Sequence, residues 1–232
     1  MKAMLLAAGR GERMRPLTDH TPKPLLVVGG KSLIVWHIEK LVRAGICDIV
    51  INHAHLGVQI EAALGNGKQF GARIQYSPET RALETAGGIA NALALLDNVP
   101  FAVINSDIFC HYDFTLLPER AAALQASGDV VHLVLVDNPE HHPSGDFGLH
   151  GMRITNIAPK LTFSGIGIYQ PVLFQTISRG SVVPLAPLLR EQIACGKASG
   201  EHYTGLWADV GTPERLHKLD KQLRATHNTN HD

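Results

Sequence analysis

The chain has 232 residues, 45% of them hydrophobic and 18% charged, with 21 Lys+Arg balancing 21 Asp+Glu. That length suits one sizeable domain or two small ones, and a net charge of zero excludes whole-surface attraction to nucleic acid or to an anionic membrane. No apolar stretch approaches the ~20 residues of a membrane span, and Cys47, Cys110 and Cys195 form no CxxC, which argues against a disulfide framework or structural zinc and fits a reducing cytosol. Thirteen histidines are present, but no HExxH or similar spacing gathers them, so they read as solvated or core residues.

The first element is a strand over Lys2–Ala8. Its apolar run is too short for a signal peptide, and Gly9 to Arg15 interrupts it with charge. Ser32–Ala44 reads as a helix, with Ser32 placed to cap it and Gly45 to end it. Cys47–Asn52 is a continuous apolar run, as in a strand buried on both faces. Helix Val58–Leu64, strand Ala72–Tyr76, helix Thr85–Leu96, strand Phe101–Ile104, helix Leu116–Ala126 and strand Val130–Val136 follow. This alternation predicts an α/β fold with a mostly parallel sheet covered on both faces. Short strands at Phe147–Leu149, Arg153–Ile157 and Leu161–Tyr169 then predict an antiparallel patch added to that sheet. Helices Ala186–Ala194 and Pro213–Ala225 flank a segment around Trp207, and Thr226–Asp232 reads as a frayed polar end. With no repeat, low-complexity tract or linker, residues 1–232 read as one domain, with a first region about 1–110 and a substrate-side subregion about 130–210.

Residues 5–15, L-L-A-A-G-R-G-E-R-M-R, carry the first chemical signal. In an open parallel sheet, ligands sit beyond the carboxyl ends of the strands. Gly9 and Gly11 let backbone approach a ligand and offer N–H groups to phosphate, and Arg13 and Arg15 add charge. A Walker A loop would need GxxxxGK[ST], which is absent. A dinucleotide fingerprint would need glycine at Met14 and an immediate helix, whereas Pro16, Pro22 and Pro24 predict an extended loop. A nucleotidyltransferase signature and a plain turn with solvated arginines are the other readings. Thr21-Pro22-Lys23-Pro24-Leu25 favours the former, because a lysine between two prolines is a well-placed point charge for a transferring phosphate.

L-A-A-G-x-G-x-R-M-x-P-x-T over Leu6–Thr18, followed by P-K-P-L over Pro22–Leu25, resembles the signature of the sugar-1-phosphate nucleotidyltransferases. The resemblance runs on through Leu83-Glu84-Thr85-Ala86-Gly87-Gly88, Asn105-Ser106-Asp107 and Trp207-Ala208-Asp209-Val210-Gly211-Thr212-Pro213. Within that family the chain is most similar to the N-acetylmuramate-1-phosphate uridylyltransferases of cell-wall recycling. That likeness rests on stretches such as Ile51-Asn52-His53-Ala54, Gly145-Asp146-Phe147 and Ser199-Gly200-Glu201-His202-Tyr203.

The resemblance implies a Rossmann-like three-layer fold and nucleotidyl transfer from an NTP, UTP above all, to a sugar 1-phosphate. The nucleophile is already an anion, so no general base is needed, and catalysis rests on positioning and charge neutralisation. Carried over by motif, Lys23 and Arg13 are the catalytic cations. Ala7, Ala8, Gly9, Gly11, Gly87, Gly88 and Asn105 bind the nucleotide, and Asp107 and Asp209 bind Mg²⁺. Asn138 and Asp146 are sugar anchors or turn residues. The expected partners are the two small-molecule substrates, with no nucleic acid and no membrane, and no exposed stripe demands a second subunit. Two departures stand out: Ser106 replaces a usual glycine, and Asn156-Ile157-Ala158-Pro159-Lys160 replaces the E-K-P segment that holds the sugar in many relatives. No hexapeptide repeat follows the domain, so acetyl transfer is not expected. The rivals are mannose-1-phosphate guanylyltransferase, glucose-1-phosphate uridylyl- or thymidylyltransferase, and a non-catalytic nucleotide-sugar sensor. A sensor would be expected to lose Lys23, Asp107 or Asp209.

Overall fold

The computed structural model describes residues 1–228. Its strands are β1 (Ala3–Ala7), β2 (Val27–Val28), β3 (Lys31–Ser32), β4 (Asp48–His53), β5 (Arg73–Pro78), β6 (Phe101–Asn105), β7 (Ile108–Cys110), β8 (Val131–Val136), β9 (Phe147–His150), β10 (Arg153–Thr155), β11 (Lys160–Tyr169), β12 (Ala198–Tyr203) and β13 (Trp207–Asp209). The helices are α1 (Leu33–Arg43), α2 (Gly57–Leu64), α3 (Glu84–Ala92), α4 (Leu117–Ser127), α5 (Leu185–Ala194) and α6 (Pro213–Asn228). Helix α6 runs through Thr226–Asn228, where fraying was expected; the rest of that stretch lies outside the described residues.

The main sheet has the order β5-β4-β1-β6-β11-β8-β12-β10-β9. Its first four strands are parallel. Their side chains alternate between two cores, which explains the unbroken apolar runs. Leu5, Ile49, Ile51 and Ile104 pack with Ile38, Leu64 and Leu124 of α1, α2 and α4. Met4, Val50 and Val103 pack on the opposite face with Ile89 and Leu189 of α3 and α5. A third, smaller core joins Met14, Leu26 and Phe109 to Leu219 and Leu223 of α6.

The sequence reading needs three corrections. The antiparallel strand β11 is not part of an added patch: it lies between β6 and β8 in mid-sheet, antiparallel to both. Strand β12, Ala-Ser-Gly-Glu-His-Tyr, was missed because it is polar, and it gains its ladder by running parallel to β8. The proline-rich stretch is not extended. It folds as 3-10 turns at Glu12–Met14, Leu17–Asp19 and Lys23–Leu25, which proline tolerates because it lacks only an N–H that the start of a turn leaves unused. Ser32 holds the position before α1, but its side chain makes no capping bond.

Candidate active site

The carboxyl ends of β1, β4, β5 and β6 open into a cleft of about 280 Å³. Leu6, Ala7, Ala8 and Gly9 form one wall, Ala82 to Thr85 another, and Asn105, Ser106 and Asp107 the floor beside Lys23. This is where a parallel sheet presents ligands. The structure thus brings Lys23, Ala7, Ala8, Gly9, Asn105 and Asp107 together.

The glycine-arginine loop is held from below. Met14 is fully buried in the third core. Gly11 has φ of 71°, and Thr18 Oγ1 donates to its carbonyl at 2.9 Å. A Cβ at Gly11 would also come within 3.0 Å of Thr18. Of the loop's arginines, Arg10 pairs with Glu12 and reaches His55, and Arg15 pairs with Asp19. Arg13 is exposed and has no hydrogen-bond or ion-pair partner among the described residues. It is therefore the loop's uncommitted positive charge.

Lys23 is anchored by its turn, in which Leu25 N–H donates to Pro22 O and Leu26 N–H to Lys23 O. Its side chain is only 10% exposed, and Nζ meets Asp107 Oδ2 at 2.5 Å. Asp107 lies two residues beyond β6 and directly before β7. Ser106, the departure from the family pattern, is buried, and its hydroxyl donates to Leu6 O at 2.5 Å. The extra side chain therefore ties β6 to β1. Asn105 packs against Gly165, where β11 is bulged between Phe163 and Ile166; a Cβ at Gly165 would lie 2.8 Å from Asn105 Nδ2.

Asp209 lies 102 residues after Asp107 in the chain, yet the two are neighbours in the fold. β13 pairs antiparallel with β7, Asp209 opposite Ile108, and Val210 N–H donates to Asp107 O at 2.8 Å. The burial of His37 fixes this ladder from beneath. Its Nε2 donates to Ile108 O at 2.8 Å, and burial pushes its pKa down to about 4, so it stays neutral. No cluster of three or more His, Cys, Asp or Glu suited to a metal occurs among the described residues. Asp107 and Asp209 remain as two hard-oxygen donors, one just before β7 and one at the end of its partner β13. That set suits a Mg²⁺ that completes its shell with water and substrate phosphate, not an all-protein cage.

Two residues that line the cleft escaped the sequence reading of the site. Asn52, at the end of β4, accepts from Ala7 N–H at 3.0 Å and donates to Glu79 Oε1 at 2.7 Å. Glu79 Oε2 accepts from Leu83 N–H at 3.0 Å. Ala7, Asn52, Glu79 and Leu83 thus form a chain of hydrogen bonds joining the cleft's two walls. Burial raises the Glu79 carboxyl, and the bonds from Asn52 and Leu83 oppose the rise. The available signal was a polar side chain at the carboxyl end of a buried parallel strand.

Gly87 and Gly88 lie within α3, behind the wall. A Cβ at Gly87 would fall 2.1 Å from Ser181 O, and its N–H already donates to Val183 O. A Cβ at Gly88 would fall 2.8 Å from Asn52 Nδ2 and from Glu79 Oε1. The structure thus gives both glycines packing tasks that shape the wall. Asn138 and Asp146 lie on the far side, in the loop between β8 and β9. Asn138 donates to Pro143 O and Lys160 O and accepts from Thr162. Asp146 accepts from Phe163 N–H and pairs with His142.

Comparison with known proteins gives a consistent picture. The "Nucleotidyl transferase" family model matches residues 2–226. The chain is 54% identical over 223 residues to an N-acetylmuramate alpha-1-phosphate uridylyltransferase of Neisseria meningitidis, covering 93% of this chain and 95% of that relative. It is 33% identical to a mannose-1-phosphate guanyltransferase of Emericella nidulans over 92% of this chain, which spans 62% of that relative. Among solved structures, a candidate glucose-1-phosphate thymidylyltransferase from Bacillus anthracis superposes with a TM-score of 0.84 at 22% identity, covering 97% of this chain and 95% of that one. This last likeness concerns the fold alone.

Proposed function

The chain belongs to the nucleotidyl transferase family and is a sugar-1-phosphate nucleotidyltransferase, and from that premise we propose that it joins UTP to N-acetylmuramate 1-phosphate in a Mg²⁺-dependent reaction of cell-wall recycling. The observation that carries the reading is the buried Lys23 Nζ, set 2.5 Å from Asp107 in a cleft walled by the glycine loop. The choice of base and sugar is supported by the 54% identity with a relative of that name.

An oxygen of the sugar phosphate attacks the α-phosphorus of UTP. The new P–O bond forms as the bond to the bridging oxygen of pyrophosphate breaks, and the electron pair leaves with pyrophosphate. Lys23 neutralises phosphate charge on the floor of the cleft, where little water competes with it. Arg13, exposed and uncommitted on the glycine loop, takes the leaving phosphates together with N–H groups of that loop. The wall from Ala82 to Thr85 receives the base, and the acceptor lies over β8, β9 and β11. Asp107 and Asp209 hold Mg²⁺, which when bound supplies charge neutralisation to the phosphates. No helix among the described residues is long and apolar enough to cross a membrane. All three cysteines are free, which supports a reducing, cytoplasmic setting.

Pyrophosphate release from UTP and N-acetylmuramate 1-phosphate tests the proposal. Release should require Mg²⁺, stop with a chelator, and be lost in D107N while the variant stays folded. Full activity of D107N would overturn the assignment of the site.

A further inference from the structure

Two side chains crowd the carboxylate of Asp209. Arg215 Nη1 donates to Oδ2 at 2.5 Å, and His141 Nε2 lies 3.0 Å from Oδ1. Arg215 Nη1 and His141 Nε2 are themselves 2.6 Å apart. One imidazole nitrogen cannot satisfy both neighbours. Donating to Asp209, it sets an N–H against the guanidinium; accepting from Arg215, it sets a lone pair against the carboxylate. Arg215 comes from the first turn of α6, and His141 from the loop between β8 and β9 on the acceptor side. Gly211 makes the approach feasible: a Cβ there would sit 2.2 Å from Arg215 Nη2 and 3.2 Å from Asp209 Oδ2. Its backbone is not left-handed, so the glycine is there for space.

We infer that Arg215 is a resident counter-cation: it holds Asp209 until a divalent cation binds there, then yields the carboxylate and pairs with an anionic group of the acceptor sugar phosphate. The inference rests on Asp107 and Asp209 being the metal carboxylates. A guanidinium and a divalent cation compete for one carboxylate because each raises the energy of the other at close range. Once released, the guanidinium is permanently charged, planar and forked, and so suited to phosphate or carboxylate oxygens. It is also tethered beside the metal site, where the attacking phosphate must arrive.

Mn²⁺ alone, titrated and followed by its paramagnetic resonance signal, reads the competition without turnover. R215M should bind Mn²⁺ about fivefold tighter than the wild type. G211A, which pushes the guanidinium aside without removing its charge, should shift binding the same way. Adding D209N to R215M should erase the gain. With Mn²⁺ present, the calorimetric Kd of the acceptor should rise about tenfold in R215M. An equal rise for N-acetylmuramate and N-acetylglucosamine 1-phosphates assigns the guanidinium to the phosphate. A rise confined to the former assigns it to the lactyl carboxylate. Unchanged or weaker Mn²⁺ binding in a folded R215M, or an unchanged acceptor Kd, would overturn the inference. A gain that survives D209N would show that the ion sits elsewhere, and the metal-carboxylate reading would fall instead.

Discussion

On the β1 side of the sheet, the polar groups facing the cleft are fixed chiefly by hydrogen bonds to backbone and to one another: Asn52 to Ala7 and Glu79, Glu79 to Leu83, Ser106 to Leu6. Around the loop between β8 and β9 the carboxylates instead meet side-chain partners: Asp137 meets His202, Asp146 meets His142, and Asp209 meets His141 and Arg215. The contrast accords with the proposed placement of the two ligands. A neutral base is best met by preset donors and acceptors that need no rearrangement. On the proposed reading, an anionic acceptor is met by the Arg215 guanidinium, which has an internal partner until it arrives.

The comparison can be tested at several strengths. Lys23→Ala, at the junction of the two halves, should have the largest effect: a loss on the order of 10²–10³ in rate, with circular dichroism unchanged. Next, Glu79→Ala strands the Asn52 amide and the Leu83 N–H and uncouples the two walls of this cleft, leaving the β8–β9 loop untouched. The KM for UTP should rise about tenfold, while the KM for the sugar phosphate stays put; a rise in both would erase the distinction between the halves. Gly87→Ala forces a methyl onto Ser181 O and should cost about 1–3 kcal/mol of stability, read as a lower denaturant midpoint.

The smallest effect is expected at Glu201 in β12, which is also held by an arginine. Arg120 Nη2 donates to its Oε2 at 2.8 Å, and Tyr112 donates to Oε1. Burial alone would raise this carboxyl, but the His132 ring 3.5 Å away, the hydrogen bonds from Arg120 and Tyr112 and the charge of Arg120 bring its pKa down to about 2. A depressed carboxylate stabilises the fold above its unfolded pKa, near 4.5, and that contribution is lost as pH falls through about 2. Glu201→Gln should therefore cost on the order of 1 kcal/mol at neutral pH, reduced by partial solvation. The difference from wild type should close as the pH is lowered through that window. Unlike Arg215, Arg120 is a permanent partner, so Mn²⁺ binding should not change in this variant.

Most of the parallel half was legible in the sequence because burial on both faces writes itself as apolar runs, as in Asp48–His53 and Phe101–Asn105. The glycine loop and Pro22-Lys23-Pro24 were legible because each residue type there answers a local need. The mid-sheet place of β11 was not, since a strand's own residues do not specify which neighbours it pairs with. β12 carries Ser, Gly, Glu and His and was hidden by its polarity. Asn52 and Glu79 were missed because their role exists only between them, across strands 27 residues apart. Gly87 and Gly88 carry a nucleotide-binding expectation from their motif alone; their contacts with Ser181, Asn52 and Glu79 emerge only from tertiary packing.

The most direct test is pyrophosphate release with Mg²⁺, crossing UTP, dTTP, GTP, CTP and ATP with the 1-phosphates of N-acetylmuramic acid, N-acetylglucosamine, glucose and mannose. The account predicts turnover with UTP and the muramic sugar well above every other pair. Preferred turnover of GTP with mannose 1-phosphate would leave the Lys23–Asp107 chemistry standing and contradict the assignment of base and sugar.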